Sequence, residues 1–267
     1  MAGAAQAELA LSAPSIDKPI TLDGDAADWA GISGITVPLK GKGNVDTVEV
    51  KAVVHDDMIY MLAIWDDSTE NKFHKPYKWN EGTASYKTTK EQEDRFVVTL
   101  KMSGEFTPNK FDGSIFTADV WHWKSQRSNT VGLVHDKMWK VDTKPFEKAK
   151  ELKGANGNPV YLKRSSDKGD KLYKKVKYSE KFEEKMPRYQ VNDSAKGSIA
   201  DVKAKGVWKD GKWTLEIARK LNTGNTDDAV IPAEGTLEIA FGLFNGTSSR
   251  RHSTSDKIIL KTGGATN

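Results

Sequence analysis

The sequence predicts an all-β fold: an antiparallel β-sandwich with a lysine-rich insertion and short helices. Three observations carry this expectation. Runs of β-branched and aromatic residues of strand length recur along the chain, polar turns containing Asp and Gly separate them, and helical periodicity is confined to short stretches near Pro145–Leu152.

In chain order, Ile20-Thr21-Leu22 reads as a short strand, Asp23-Gly24 as a turn, and Trp29 as a plug for one end of a core. Val48–Val54 and Met58–Trp65 form the clearest hairpin, joined by His55-Asp56-Asp57, with Met58 and Met61 as core residues of its second strand. Arg95–Met102, Thr117–Trp123 and Thr236–Phe244 read as further strands. A second hairpin pairs Gly206-Val207-Trp208 with Trp213–Arg219 around the turn Lys209-Asp210-Gly211-Lys212. Lys137–Arg188 reads as an insertion loop, dense in lysine and carrying the turn-rich run Gly154–Pro159; it suits either a docking surface for an acidic partner or a solvated loop. One domain is expected over residues 13–263. Residues 1–12 read as a tail or as the remnant of an export signal, because Met1–Glu8 has the small-residue character of a cleavage region.

Composition narrows the function. Eight Trp, nine Phe and seven Tyr can fill a substantial core, while 29% charged residues demand a well-solvated surface. The net charge of +4, from 41 basic against 37 acidic residues, comes without an aromatic-interleaved basic motif, so no nucleic-acid partner is expected. No apolar run approaches the roughly 20 residues of a membrane span. The chain has no cysteine, which excludes disulfides, thiolate zinc, iron–sulfur clusters and covalently attached haem. Any metal must therefore take His, Met, Lys or carboxylate ligands. The chain also lacks a nucleophile elbow, an HExxH helix, a phosphate loop and a dinucleotide fingerprint, and its five histidines are not at helix-face metal spacing. A protein that binds, rather than one that catalyses alone, is the expectation.

The run Asp119-Val120-Trp121-His122-Trp123-Lys124, followed by Arg127, Gly132, His135, Asp136 and Met138, stands out. On a strand, alternation puts Asp119, Trp121 and Trp123 on one face and Val120, His122 and Lys124 on the other. Two aromatics could wall a flat ligand while two nitrogen donors reach a metal. The same pattern also suits a core strand with a hydrogen-bonded His122 and a Lys124 that escapes to solvent.

Over most of its length the chain resembles the ethylbenzene dehydrogenase γ-subunit family. The resemblance rests on Asp23-Gly24 with Asp28-Trp29, Val50-Lys51-Ala52, Ile59-Tyr60, Trp65-Asp66-Asp67, Glu93-Asp94-Arg95-Phe96, Asp119–Lys124 with Arg127, Gly206–Leu221, and Leu243-Phe244-Asn245-Gly246. It implies a periplasmic, haem b-binding electron-transfer subunit of a molybdenum oxidoreductase of the dimethyl sulfoxide reductase class, such as the chlorate, selenate and dimethyl sulfide enzymes. The implied partners are a molybdenum catalytic subunit, an iron–sulfur subunit and a soluble cytochrome c. Relatives with covalent haem carry a Cys-x-x-Cys-His where this chain has Gly104–Gly113 without cysteine, which leaves the b-type subunit or a haemless scaffold. The family's Met and Lys ligands fall on Met102 and Lys124 as expectations, with His122 and Met138 in reserve and Trp121, His122 and Trp123 as cofactor contacts. A lysine ligand must shed its proton, which burial beside a cation favours. Such a haem has both axial positions filled, so it would pass electrons and the chain would not be an enzyme alone. The Asp-Gly and Asp-Trp opening also resembles carbohydrate-binding modules that stack sugars on exposed tryptophans.

Overall fold

The computed structural model describes residues 8–265. The principal strands are β1 (Leu9–Ser15), β2 (Ile35–Pro38), β3 (Thr47–His55), β4 (Met58–Asp66), β5 (Arg95–Gly104), β6 (Phe116–Lys124) and β7 (Lys137–Asp142). They continue with β8 (Lys150–Lys153), β9 (Pro159–Ser166), β10 (Lys203–Lys209), β11 (Lys212–Lys220), β12 (Gly235–Phe244) and β13 (Ile258–Ala265). One hydrogen-bonded sheet runs β8-β9-β7-β6-β5-β12-β13-β1-β3-β4-β11-β10. It folds back on itself: Trp65 of β4 stacks on Phe96 of β5 at 5.7 Å, and Trp213 of β11 meets Trp123 of β6 edge-on at 5.0 Å. The result is the β-sandwich the sequence predicts, with the main apolar core between its halves.

Local chemistry explains the hairpins. Val48, Val50, Ala52 and Val54 of β3 alternate inward with Ile59, Met61, Ala63 and Trp65 of β4, so both strands present one apolar face. Asp210-Gly211 closes the β10–β11 hairpin with φ of 51° and 79°, the left-handed pair that a two-residue turn between twisted strands requires. Trp29 is fully buried, yet it packs with Ile20, Val53, Tyr60 and Leu62 on the outer face of β3 and β4 rather than plugging the main core. Its Nε1 donates to Glu216 Oε1 at 2.9 Å, while Glu216 Oε2 accepts from the Asp23 and Gly24 amides at 2.9 and 2.7 Å. The Asp-Gly and Asp-Trp opening is thus tied to one buried carboxylate.

The structure corrects four expectations. Residues 9–12 are not tail: β1 begins at Leu9 and pairs in parallel with β13, Leu11 being fully buried. The seven residues before Glu8, which carry most of the export-signal reading, lie outside the described residues. Ile20–Leu22 is not a strand, and no α-helix occurs among the described residues; the helical segments are 3-10 turns and Lys150–Leu152 is extended. The proposed insertion loop contributes β7, β8 and β9 to the main sheet, with Val141, Val160 and Leu162 buried against β6. Its second half is mostly irregular, with a short separate ribbon of Tyr173–Lys175 and Tyr189–Val191 and a tie from Lys185–Met186 to Tyr77–Lys78. Limited trypsinolysis should therefore cut first in the exposed, lysine-rich stretch 174–184, leaving 137–166 intact; early cleavage within β7 or β9 would contradict this packing.

Candidate functional site

Strand β6 positions the site, and the predicted alternation holds. Asp119, Trp121 and Trp123 face the interior between the sandwich halves, while Phe116, Ala118, Val120, His122 and Lys124 face outward. Neither face is free. Trp121 and Trp123 are buried core residues, so the expectation that they wall a ligand is corrected: Trp123 lies edge-on to both Trp65 and Trp213, and its Nε1 donates to Asn129 Oδ1 at 3.0 Å.

On the outer face the segment 104–115 and the turn at 249–252 cover β5, β6 and β12. The segment is anchored by Phe106, which is buried edge-on to Phe116 at 5.5 Å. Beneath it is a groove of about 240 Å³, below the roughly 300–1,000 Å³ of most organic-ligand pockets, so a large flat ligand would project from it. Its floor is Phe244, whose ring stacks with His252 at 4.9 Å and with His122 at 6.1 Å and has the Arg95 guanidinium 4.0 Å from its centre. Trp139 forms a wall, with Lys110 Nζ 4.5 Å from its ring. Arg95, Lys110, Lys137 and Arg164 line the groove, and among the described residues no carboxylate does. Burial, with Arg164 nearby, draws the Lys110 amine down to about 8, and burial draws Arg95 down to about 10. His122 Nε2 and His252 Nδ1 are buried without a hydrogen-bond partner among the described residues. Burial holds both imidazoles below the usual histidine range and the adjacent cations reinforce it, while at His252 a contact with the Ser249 backbone opposes them in part. Uncharged nitrogen donors in a basic, aromatic groove suit a flat ligand that carries acidic groups and a metal.

Lys124 continues this face into a buried polar nest. Its Nζ is 2.8 Å from His135 Nδ1 and donates to the His122 carbonyl at 3.2 Å, and the Tyr173 hydroxyl is 3.2 Å from the same Nδ1. Burial, reinforced by Arg127 and Lys137, holds the amine well below the lysine range. It therefore does not escape to solvent. Beside it Glu93 accepts from Arg127 Nε at 2.6 Å and from the amides of Gln126 and Arg127, fixing the turn after β6. His74 lies 3.6 Å from Glu93, and burial lowers it to about 3.

The paired Met102–Lys124 ligation does not fit. Arg95 lies opposite Lys124, and Met102 is seven residues further along β5, roughly 23 Å at about 3.3 Å per residue. That separation is far beyond what two side chains on one iron allow, and Met102 packs against the inner core. Met138 lies opposite Asp119, and so points toward the interior face, away from His122. Of the expected site residues, His122 and Lys124 share the outer face. His252, Lys110, Arg164 and Trp139 were not singled out as site residues: they join the groove from distant segments, and the only sequence signal was that His252 is one of five histidines.

A family model for ethylbenzene dehydrogenase matches residues 26–255, and the chain belongs to that family. No curated protein matches it. Among solved structures, it is similar to a family 9 carbohydrate-binding module from Caldicellulosiruptor kristjanssonii in complex with glucose, at 12% identity, TM-score 0.40, covering 94% of this chain and 96% of that one. The same module in complex with cellotriose gives 14% identity, TM-score 0.41 and coverages of 94% and 93%. Likeness this distant does not bear on what the present chain binds.

Proposed function

We propose that the chain is a haem b-binding electron-transfer subunit of a periplasmic molybdenum oxidoreductase, working with a molybdenum catalytic subunit and an iron–sulfur subunit. Membership of the ethylbenzene dehydrogenase family supports the assembly. The observation that carries the haem reading is the basic, aromatic groove with the partnerless nitrogens of His122 and His252. When bound, haem would supply a one-electron ferric–ferrous couple. The chain's own residues have separate tasks. Arg95, Lys110, Lys137 and Arg164 offset the charge of haem carboxylates, Phe244 and Trp139 exclude water, and burial keeps His122, His252 and Lys124 uncharged and able to donate a lone pair. His122 is the first iron ligand in this reading, with His252 and Lys124 as the candidates for the second.

Sugar stacking has less support, because five of the eight tryptophans are buried and Trp79, Trp139 and Trp208 are only half-exposed. No helix among the described residues is long and apolar enough to cross a membrane.

The test is optical. The purified chain loaded with haemin should show a Soret band with a low-spin spectrum and release its haem into acidified organic solvent, as expected without cysteine. A chain that stays colourless with excess haemin would sink the haem reading and leave the haemless scaffold. Met102→Leu, a volume-conserving change, should leave this spectrum unaltered. A changed spectrum in that variant would return the sulfur to the ligand set.

A further inference from the structure

A second buried cluster lies on the opposite face of β6, between the sandwich halves and independent of the haem reading. Oxygens of Asp119, Asp136 and Asp228 lie within 4.8 Å of one another, and all three residues are buried. Among the described residues only one cation pairs with them: Arg219 Nη1 reaches Asp119 Oδ2 at 2.5 Å. We propose that Asp119, Asp136 and Asp228, with Asp167 beside them, bind a hard divalent cation, calcium, that locks the two halves of the sandwich together.

Charge is the first argument. Like-charged carboxylates this close and this deep repel strongly unless a cation or protons intervene, and one arginine does not balance them. The second argument is independent of the cluster's proximity. Asp167 is 6% exposed, its amide donates to the Asp136 carbonyl at 3.3 Å, its carboxylate abuts that of Asp136, and both of its oxygens lack a partner. Asp119 Oδ1 and Asp136 Oδ2 are likewise buried and partnerless. Hydrogen bonds position the remaining oxygens: Ala229 N donates to Asp119 Oδ2 at 2.9 Å, and Asn225 Nδ2 donates to Asp228 Oδ2 at 3.1 Å. The site is therefore supported where hydrogen bonds exist, and the oxygens left without a donor are those that face the neighbouring carboxylates.

The donor set selects the ion. All of the candidate ligands are oxygens, which suits hard cations rather than zinc or copper. Several carboxylates converging from separate loops and strands favour calcium's larger, irregular shell of six to eight oxygens over the strict octahedron of magnesium. A surface cleft lined by Asp201, Arg219, Thr223 and Asn225, and also by Lys196, Lys203 and Lys220, borders the cluster, since Thr223 and Asn225 both donate to Asp228.

The experiment uses the whole chain, chelated with EDTA and shown metal-free by elemental analysis. Calcium at about a hundred times its dissociation constant should raise the melting temperature by roughly 5–10 °C, and magnesium at the same concentration should do markedly less. Terbium should give emission sensitised by Trp121, whose ring lies 4.9 Å from the Arg219 guanidinium, and calcium should displace it. Asp136→Asn and Asp167→Asn should each weaken binding at least tenfold. Both are preferred to changes at Asp119, which would strand Arg219. The proposal is overturned if millimolar calcium neither shifts the melt nor displaces terbium, or if magnesium matches calcium. It is equally overturned if Asp136→Asn stabilises a chain indifferent to ions, because the carboxyls then hold protons instead.

Discussion

His122→Ala should abolish the low-spin spectrum of the haem-loaded chain and weaken haem binding at least tenfold, about 1.4 kcal/mol. The side chain stands in the groove with a buried, partnerless Nε2, and burial beside Lys124 and Lys137 keeps it neutral. Alanine removes that donor but leaves the basic rim and the Phe244 floor, so residual haem should bind in a high-spin form. The fold should persist, because His122 contributes to no core cluster. His55→Ala is the control: its Nδ1 pairs with the Ile16 carbonyl at 3.0 Å, outside the groove. Lys124→Ala decides the second ligand. Loss of the low-spin spectrum there, with His252→Ala silent, assigns the amine; the reverse assigns the imidazole. If His122→Ala keeps the wild-type spectrum, His122 is not a ligand and this use of the groove fails.

The parts of this fold legible in the sequence are those whose signals are local. The β3–β4 and β10–β11 hairpins each carry two alternating strands and their turn within a short span, so the pattern states the pairing. β1 was not legible, because Leu9-Ala10-Leu11-Ser12-Ala13 is short and small, and its partner is β13 at the other end of the chain. β7 to β9 were missed because lysine and arginine alternate with their few buried residues, the usual way an outlying strand protects itself from pairing. At the site, alternation along β6 was legible, but which face would be core was not. Both faces mix polar and aromatic residues, and the segments that cover the outer one come from 104–115 and 249–252. The distance from Met102 to Lys124 depends on the register of β5 against β6, which one sequence does not reveal. The acidic cluster was hidden for the same reason, since Asp119, Asp136 and Asp228 meet only through the folded sheet.

The tryptophans of β6 supply the sharpest contrast between sequence pattern and structure. Trp123→Ala should lower stability by about 3–5 kcal/mol, read from the midpoint of a urea melt, whether or not haem is present. The indole is wholly buried and meets Trp65 and Trp213 edge-on, so its removal opens a cavity in the centre of the main core. A hydrogen-bonded unit fails with it. Trp123 Nε1 donates to Asn129 Oδ1, which also accepts from Gly206 N at 2.7 Å, while Asn129 Nδ2 donates to the Gly206 carbonyl at 2.9 Å. Gly206 is fitted to the ring: a Cβ there would lie 2.6 Å from Trp123 Cζ2. Trp139→Ala gives the opposite pattern, because that ring is half-buried on the groove wall against Lys110; it should weaken haem binding and shift the melt far less. Were Trp123→Ala to lose haem while keeping the wild-type melt, the ring would be a ligand wall after all and its place in the core would be wrong.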